Sequence, residues 1–325
     1  MSLVKYLTPI NLQEEKQKFF DRNCKYNPYF KYNNLATLDK LYKYGQPKSE
    51  YLALAQEILN KAFHDQTEED IRALEGKKLS QVQAQLMIDK FLKANNLNEI
   101  IKIVWSDKFL GKASYYKNVL KLQLPLWHRR VEFKGTLYHE LGTHAIRRIN
   151  YAHQPFFKKK SKFGFEDYMR TEEGLAGLHT LLARNFKLDY TGALNYVTSA
   201  VAQKKSFTET FNFVLKYIDD RNRAWRYTVK HKRGLYDTAK SGGFTKDIVY
   251  FEGMIKVWQF MQQSDFDLEG LYLGKIAYED IAKAREMNPG FVPQLPSFIR
   301  KNKSKYIKEI NKIAQINKLD QILST

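Results

Sequence analysis

Apolar and polar positions change period along this chain, and the changes divide it. From Ser80 the spacing is helical: Ser80-x-x-Gln83 is a capping box, and the predicted helix carries Val82, Leu86 and Phe91 towards a core before Asn95-Asn96 stops it. Two strand-like runs follow, IIKIVWS from Ile100 to Ser106 and YKNVLKLQL from Tyr116 to Leu124, with KFLGKAS between them and Pro125 closing the second. They predict a small sheet. From Arg130 onward the pattern is almost wholly helical, with predicted helices over 130–150, 171–186, 191–204, 207–230, 245–263, 269–287 and 297–325. Gly242-Gly243 set off Thr245, whose hydroxyl is placed to cap the 245–263 helix with Asp247 in its first turn. Before Ser80, short helical patterns alternate with aromatic, polar stretches such as YNPYFKYNN, where Asn27-Pro28 and Asn33-Asn34 read as turns. The expectation is an α+β fold, mainly helical, in one compact unit. It has an N-terminal layer over 1–75, a core over 76–290 and a basic C-terminal helix over 291–325.

Composition narrows the chemistry. The 325 residues include a single cysteine, Cys24, which excludes an internal disulfide framework and a cysteine-based zinc ribbon, so any metal must sit on nitrogen and oxygen ligands. No window holds about 18 uninterrupted apolar residues and the opening segment lacks signal-peptide character, so neither a membrane span nor secretion is expected. The net charge of +19 fits an acidic partner, whether nucleic acid, an anionic surface or an acidic polypeptide. A coding bias towards lysine, which outnumbers arginine 40 to 14, explains the same charge. No helix-turn-helix, zinc-finger or RNA-binding signature speaks for nucleic acid.

Candidate chemistry begins at HELGTH, residues 139–144. Two histidines and a carboxylate share a helix there, but one residue further apart than in the H-E-x-x-H zinc signature. At about 100° per residue an i,i+5 pair lies roughly 140° apart on an α-helix, too far to share a metal. A π-bulge, with i to i+5 hydrogen bonds, returns both imidazoles to one face, and Gly142 would tolerate the distortion. Downstream, TEEGLA at 171–176 offers a third ligand from Glu172 or Glu173, which equally suit the positive end of a helix. Two histidines, one glutamate and an open position form the ligand set of catalytic zinc peptidases.

Together HELGTH, TEEGLA and KRGLYDTAKSGGFTKDIVYFEG at 232–253, with the N-terminal YLTPINLQEEKQKFF and YNPYFKY, resemble the microtubule-associated tyrosine carboxypeptidase family, zinc peptidases that remove the C-terminal tyrosine of α-tubulin. The resemblance implies a zincin-like fold with an active-site helix beside a small sheet. It implies one Zn²⁺ per chain on His139, His144 and Glu173, the last because the related Q-E-G-L-A form keeps only the acid before the glycine. Glu140 would be the catalytic acid and base. Tyr250 and His231, near the third block, are candidate oxyanion donors, and Arg233 and Lys246 are candidates for holding a substrate carboxylate.

The expected partner is an acidic C-terminal tail, as on tubulin or microtubules, in the cytoplasm. A zinc peptidase with an unrelated peptide substrate, and a basic microtubule- or nucleic-acid-binding protein with a structural metal, are the competing readings. The lysines at 158–160 and 162 lie between the two metal blocks and could steer such a tail.

Overall fold

The computed structural model describes residues 3–34, 36–107 and 111–322; Lys108–Leu110 of the expected inter-strand segment and the last three residues of the expected C-terminal helix lie outside them. Among the described residues the chain is mainly helical with one three-stranded sheet. It divides into two compact units, Met1–Glu68 with Asp189–Phe251, and Glu69–Leu188 with Glu252–Thr325. Most of the stretch read as an N-terminal layer therefore belongs with 189–251. Among the described residues no helix is long and apolar enough to cross a membrane.

The first unit is built on the helices Leu12–Asp21, Ser49–Ala62, Tyr190–Ala202, Phe207–Val214 and Arg221–Lys232. Its core is aromatic: Phe19 meets Phe207 and Phe211 edge-on at 5.3 and 4.8 Å, and Phe207 lies 4.8 Å from Trp225. The expected 207–230 helix is two, because the Asp220 side chain accepts from the Arg223 N–H and starts a second helix. Thr245 does not cap its helix, which starts at Ile248; its hydroxyl donates to the Leu41 carbonyl at 3.1 Å. Lys232 is fully buried, and its ammonium donates to the carbonyls of Lys205, Lys240 and Gly242 at 2.6–3.0 Å.

In the second unit the capping box forms as expected, with Gln83 N–H donating to Ser80 Oγ and Ser80 N–H to Gln83 Oε1. The helix Gln81–Ala94 nevertheless buries Ala84, Ile88, Phe91 and Leu92, and leaves Val82 and Leu86 exposed. Val82 and Phe91, nine residues apart, fall on opposite sides of a helix, so one face could not take both. The sheet runs β1 (Lys102–Ser106), β3 (Val119–Gln123), β2 (Ala113–Tyr116), with β1 parallel and β2 antiparallel to β3. The expected 116–124 strand is thus a hairpin whose two-residue loop, Lys117-Asn118, has both φ positive, as a type I′ turn requires. Leu120 and Leu122 turn one face of β3 into the core.

The expected 130–150 helix is one continuous rod, Arg130–Leu137, Tyr138–Ala145 and Ile146–Ala152. By contrast 269–287 breaks at Gly274, where a β-carbon would meet Tyr151 at 3.1 Å. The 297–325 span breaks at Asn302, which caps the helix Lys303–Ile316.

Candidate metal centre and active site

The middle of the Arg130–Ala152 rod, Tyr138–Ala145, is a π-helix, longer than the single bulge expected. Its wider turn is visible in the Ile146 N–H bonding back to the Leu141 carbonyl and in Thr143 Oγ donating to the Tyr138 carbonyl at 3.1 Å, each five residues back. The imidazoles of His139 and His144 consequently meet edge to face, 4.8 Å between centroids. Gly142 lies inside this π-helix, and packing adds a second demand on it. A β-carbon there would lie 2.6 Å from the Phe298 ring, and that ring stacks on Tyr138 at 4.1 Å. The Tyr272 hydroxyl donates to the Gly142 carbonyl at 2.8 Å.

Each histidine is fixed from behind. His139 Nδ1 lies 3.1 Å from Thr180 Oγ, whose own proton goes to the Ala176 carbonyl, so Nδ1–H is the donor. His144 Nδ1 lies 2.7 Å from Glu172 Oε1. In the neutral Nδ1–H form of each ring Nε2 carries the lone pair, and the two Nε2 atoms face Glu173 Oε2 at 3.8 and 3.6 Å. Ligand atoms of His139, His144 and Glu173 lie within 4.8 Å of one another. With ligand bonds of 2.0–2.1 Å a tetrahedral zinc site has edges of about 3.4 Å, so two imidazoles and one carboxylate fit the ion in donor type and spacing.

Glu172 serves the other role. Its carboxylate bridges His144, Lys275 at 2.5 Å and Arg147 at 2.5 Å. Burial alone would raise its pKa, but Lys275, Arg147 and His144 outweigh that and hold it well below the carboxylate range. Burial would lower the His144 pKa, yet the hydrogen bonds to Glu172 and Glu173 raise it to about 9. A cation bound at Nε2 takes the place of that proton. His139 shifts down, chiefly through burial and then His144. Glu140, half-buried beside His139 in sequence, is tied to the sheet: the Tyr115 N–H on edge strand β2 donates to its Oε2 at 2.8 Å.

Residues 38–318 match the family described as microtubule-associated tyrosine carboxypeptidase. The chain belongs to that family. Mouse microtubule-associated tyrosine carboxypeptidase 1 is 30% identical over 97% of this chain and 68% of its own length. The human protein of that name has the same identity and coverage. Mouse MATCAP2 is 32% identical over 96% of the chain, which spans only 61% of that protein.

In this family member the glycines of the second and third motif blocks meet. A β-carbon on Gly174 would lie 2.1 Å from the Gly253 carbonyl carbon, and one on Gly253 would lie 2.1 Å from the Arg170 oxygen. The helix Met169–Ala183 can therefore bring Glu173 to the histidines only because this crossing lacks side chains.

The remaining candidates lie in the first unit. His231 is wholly buried, its Nδ1 3.0 Å from Ser199 Oγ, and burial lowers its pKa to about 3. Lys246 donates to the Tyr250 hydroxyl at 3.3 Å, and the Arg233 guanidinium lies 5.1 Å from the Phe244 ring. Sequence reading missed Thr180, Lys275 and Tyr115 because tertiary packing alone brings them to the site, and Arg147 although it stands three residues after His144 on the same rod. It also missed Arg148, which had a signal: it stands four residues after His144.

Proposed function

We propose that the chain is a zinc metallocarboxypeptidase of zincin-like architecture that removes a C-terminal tyrosine from an acidic protein tail such as that of α-tubulin, in the cytoplasm. The observation that carries the reading is the grouping of His139, His144 and Glu173, whose ligand atoms lie within 4.8 Å of one another, with Glu173 Oε2 3.8 and 3.6 Å from the two Nε2 atoms. The names of its relatives support the substrate class.

His139, His144 and Glu173 would hold the zinc, whose Lewis acidity polarises a peptide carbonyl and acidifies water at neutral pH. Glu140 adjoins one ligand. Its Oε2 is committed to the Tyr115 N–H, which holds the carboxylate in one orientation and leaves Oε1 to take a proton from water and return it to the leaving amine. Glu172 and Thr180 keep both imidazoles in the Nδ1–H tautomer. Tyr250 or His231 as oxyanion donors, and Arg233 and Lys246 as carboxylate holders, belong to the same proposal.

C-terminal mass spectrometry of an α-tubulin tail peptide tests it. Loss of one tyrosine by wild type and none by Glu140→Gln is expected. Retained tyrosine, where a control peptidase removes it, refutes the substrate; cleavage of amidated peptides would instead indicate an endopeptidase.

A further inference from the structure

The basic run at 158–162 is not uniformly a solvated face. Lys158, Lys159 and Lys162 are exposed, while Lys160 is half-buried. Beyond the helix Ile146–Ala152 the chain folds back, and the Lys158 N–H donates to the Tyr151 hydroxyl at 2.8 Å with Lys158 itself at φ 58°. A residue with a β-carbon adopts that left-handed state at a cost of about 1 kcal/mol. The turn sets four cations around three aromatic rings. Arg148 lies 5.0 Å from the Phe157 ring and 5.9 Å from Tyr151; Lys158 lies 5.0 Å from Phe157. Lys160 sits 3.4 Å over Tyr168 and 5.4 Å from Tyr151, and Lys275 lies 5.8 Å from Tyr168.

Lys275 is ion-paired with Glu172, which it shares with Arg147 and His144. Among the described residues Arg148, Lys158 and Lys160 make no ion pair within 4.0 Å; Glu172 and Asp167 act on Lys160 only electrostatically, and Lys160 spends one of its three donors on the Lys275 carbonyl. Ring faces attract cations without consuming their N–H groups, so the remaining donors stay available at fixed positions. Two links join this cluster to the metal group. Glu172 is shared between Lys275 and His144. Arg148, four residues beyond His144, acts electrostatically on the phenol of Tyr115, whose backbone N–H holds Glu140.

We propose that Arg148, Lys158 and Lys160, seated on Phe157, Tyr151 and Tyr168, form a carboxylate-binding platform for an acidic peptide beside the metal group. The proposal rests on the peptidase reading and deepens it by naming what the substrate must carry. The carboxylate can come from the chain terminus or from glutamate side chains upstream of it.

Fluorescence anisotropy on the full chain decides, with Glu140→Gln present to prevent turnover. The labelled probes are a glutamate-rich peptide with a free C-terminus, the same peptide with glutamine for glutamate, and the same peptide amidated. Arg148→Gln and Lys160→Gln should each weaken binding of the acidic peptide roughly tenfold and flatten its salt dependence, with both variants still folded by circular dichroism. Where side-chain carboxylates are the ligand, the glutamine peptide binds wild type as weakly as the acidic peptide binds the variants; where the α-carboxylate is, the amidated peptide does. Unchanged affinity and salt slope in both variants would overturn the platform. So would an equal loss in Lys162→Gln, an exposed lysine outside it. Turnover by the unaltered chain is read separately: platform-dependent binding without turnover upholds this proposal and refutes the peptidase, and turnover with platform-independent binding does the reverse.

Discussion

At the scale of single residues, the two imidazoles of the metal group are not equivalent. His139 is backed by a neutral hydroxyl and His144 by a carboxylate that Arg147 and Lys275 hold in place. A charged partner orients the ring and strengthens its donor atom, and losing such a partner typically weakens metal binding 10–100-fold. Glu172→Gln is therefore expected to lower zinc affinity by roughly that factor, and Thr180→Val by less, in a competition titration against a chromophoric chelator. Equal affinities for Glu172→Gln and wild type would show that Glu172 serves only the fold. Sequence reading separated the two glutamates by motif resemblance alone, and their geometry gives the physical ground: Glu173 Oε2 faces both Nε2 atoms, while Glu172 lies behind His144. Gly142 was legible as a special position from the distorted backbone it lies in, but the further requirement set by Phe298, far away in sequence, was not.

Among the elements, the π-helix was legible because it follows from local geometry: histidines five apart cannot share a face on an α-helix. The hairpin was not, because Lys117-Asn118 lacks the glycine that usually announces a type I′ turn. Nor was the crossing of Gly174 and Gly253, which depends on two helices meeting. That crossing makes a sharp prediction on a single helix. Gly174→Ala would drive a β-carbon into the backbone of Gly253 and should destabilise the protein by about 3 kcal/mol or more. Gly177→Ala, three residues on with nothing within 4 Å of its β-carbon, should be neutral or stabilise by up to about 1 kcal/mol. Urea unfolding of both variants checks the pair; similar midpoints would mean that the crossing is looser than described.

For the molecule as a whole, acid sensitivity follows from interior histidines. Burial pushes His231 in the first unit and His179 in the second down to about 3. The unfolded chain then takes up these protons first, near pH 6.5, so stability is full above that value and falls as pH drops from 6.5 towards 3. Between pH 7 and pH 5 the loss is roughly 2 kcal/mol for each histidine, and denaturant titrations at the two values measure it. Equal stability at both would place these imidazoles in water. The charge of +19, read from composition as either a partner signal or a coding bias, acquires a local focus around Arg148 and Lys160, within the unit that carries the metal group. Everything chemical in the proposed activity depends on that group holding an ion. Metal analysis of the purified chain, beside His139→Ala and Glu173→Ala, tests this most directly: one zinc per wild-type chain and a loss of stoichiometric zinc in both folded variants are predicted, whereas a wild-type protein that neither carries nor takes up zinc would contradict the account.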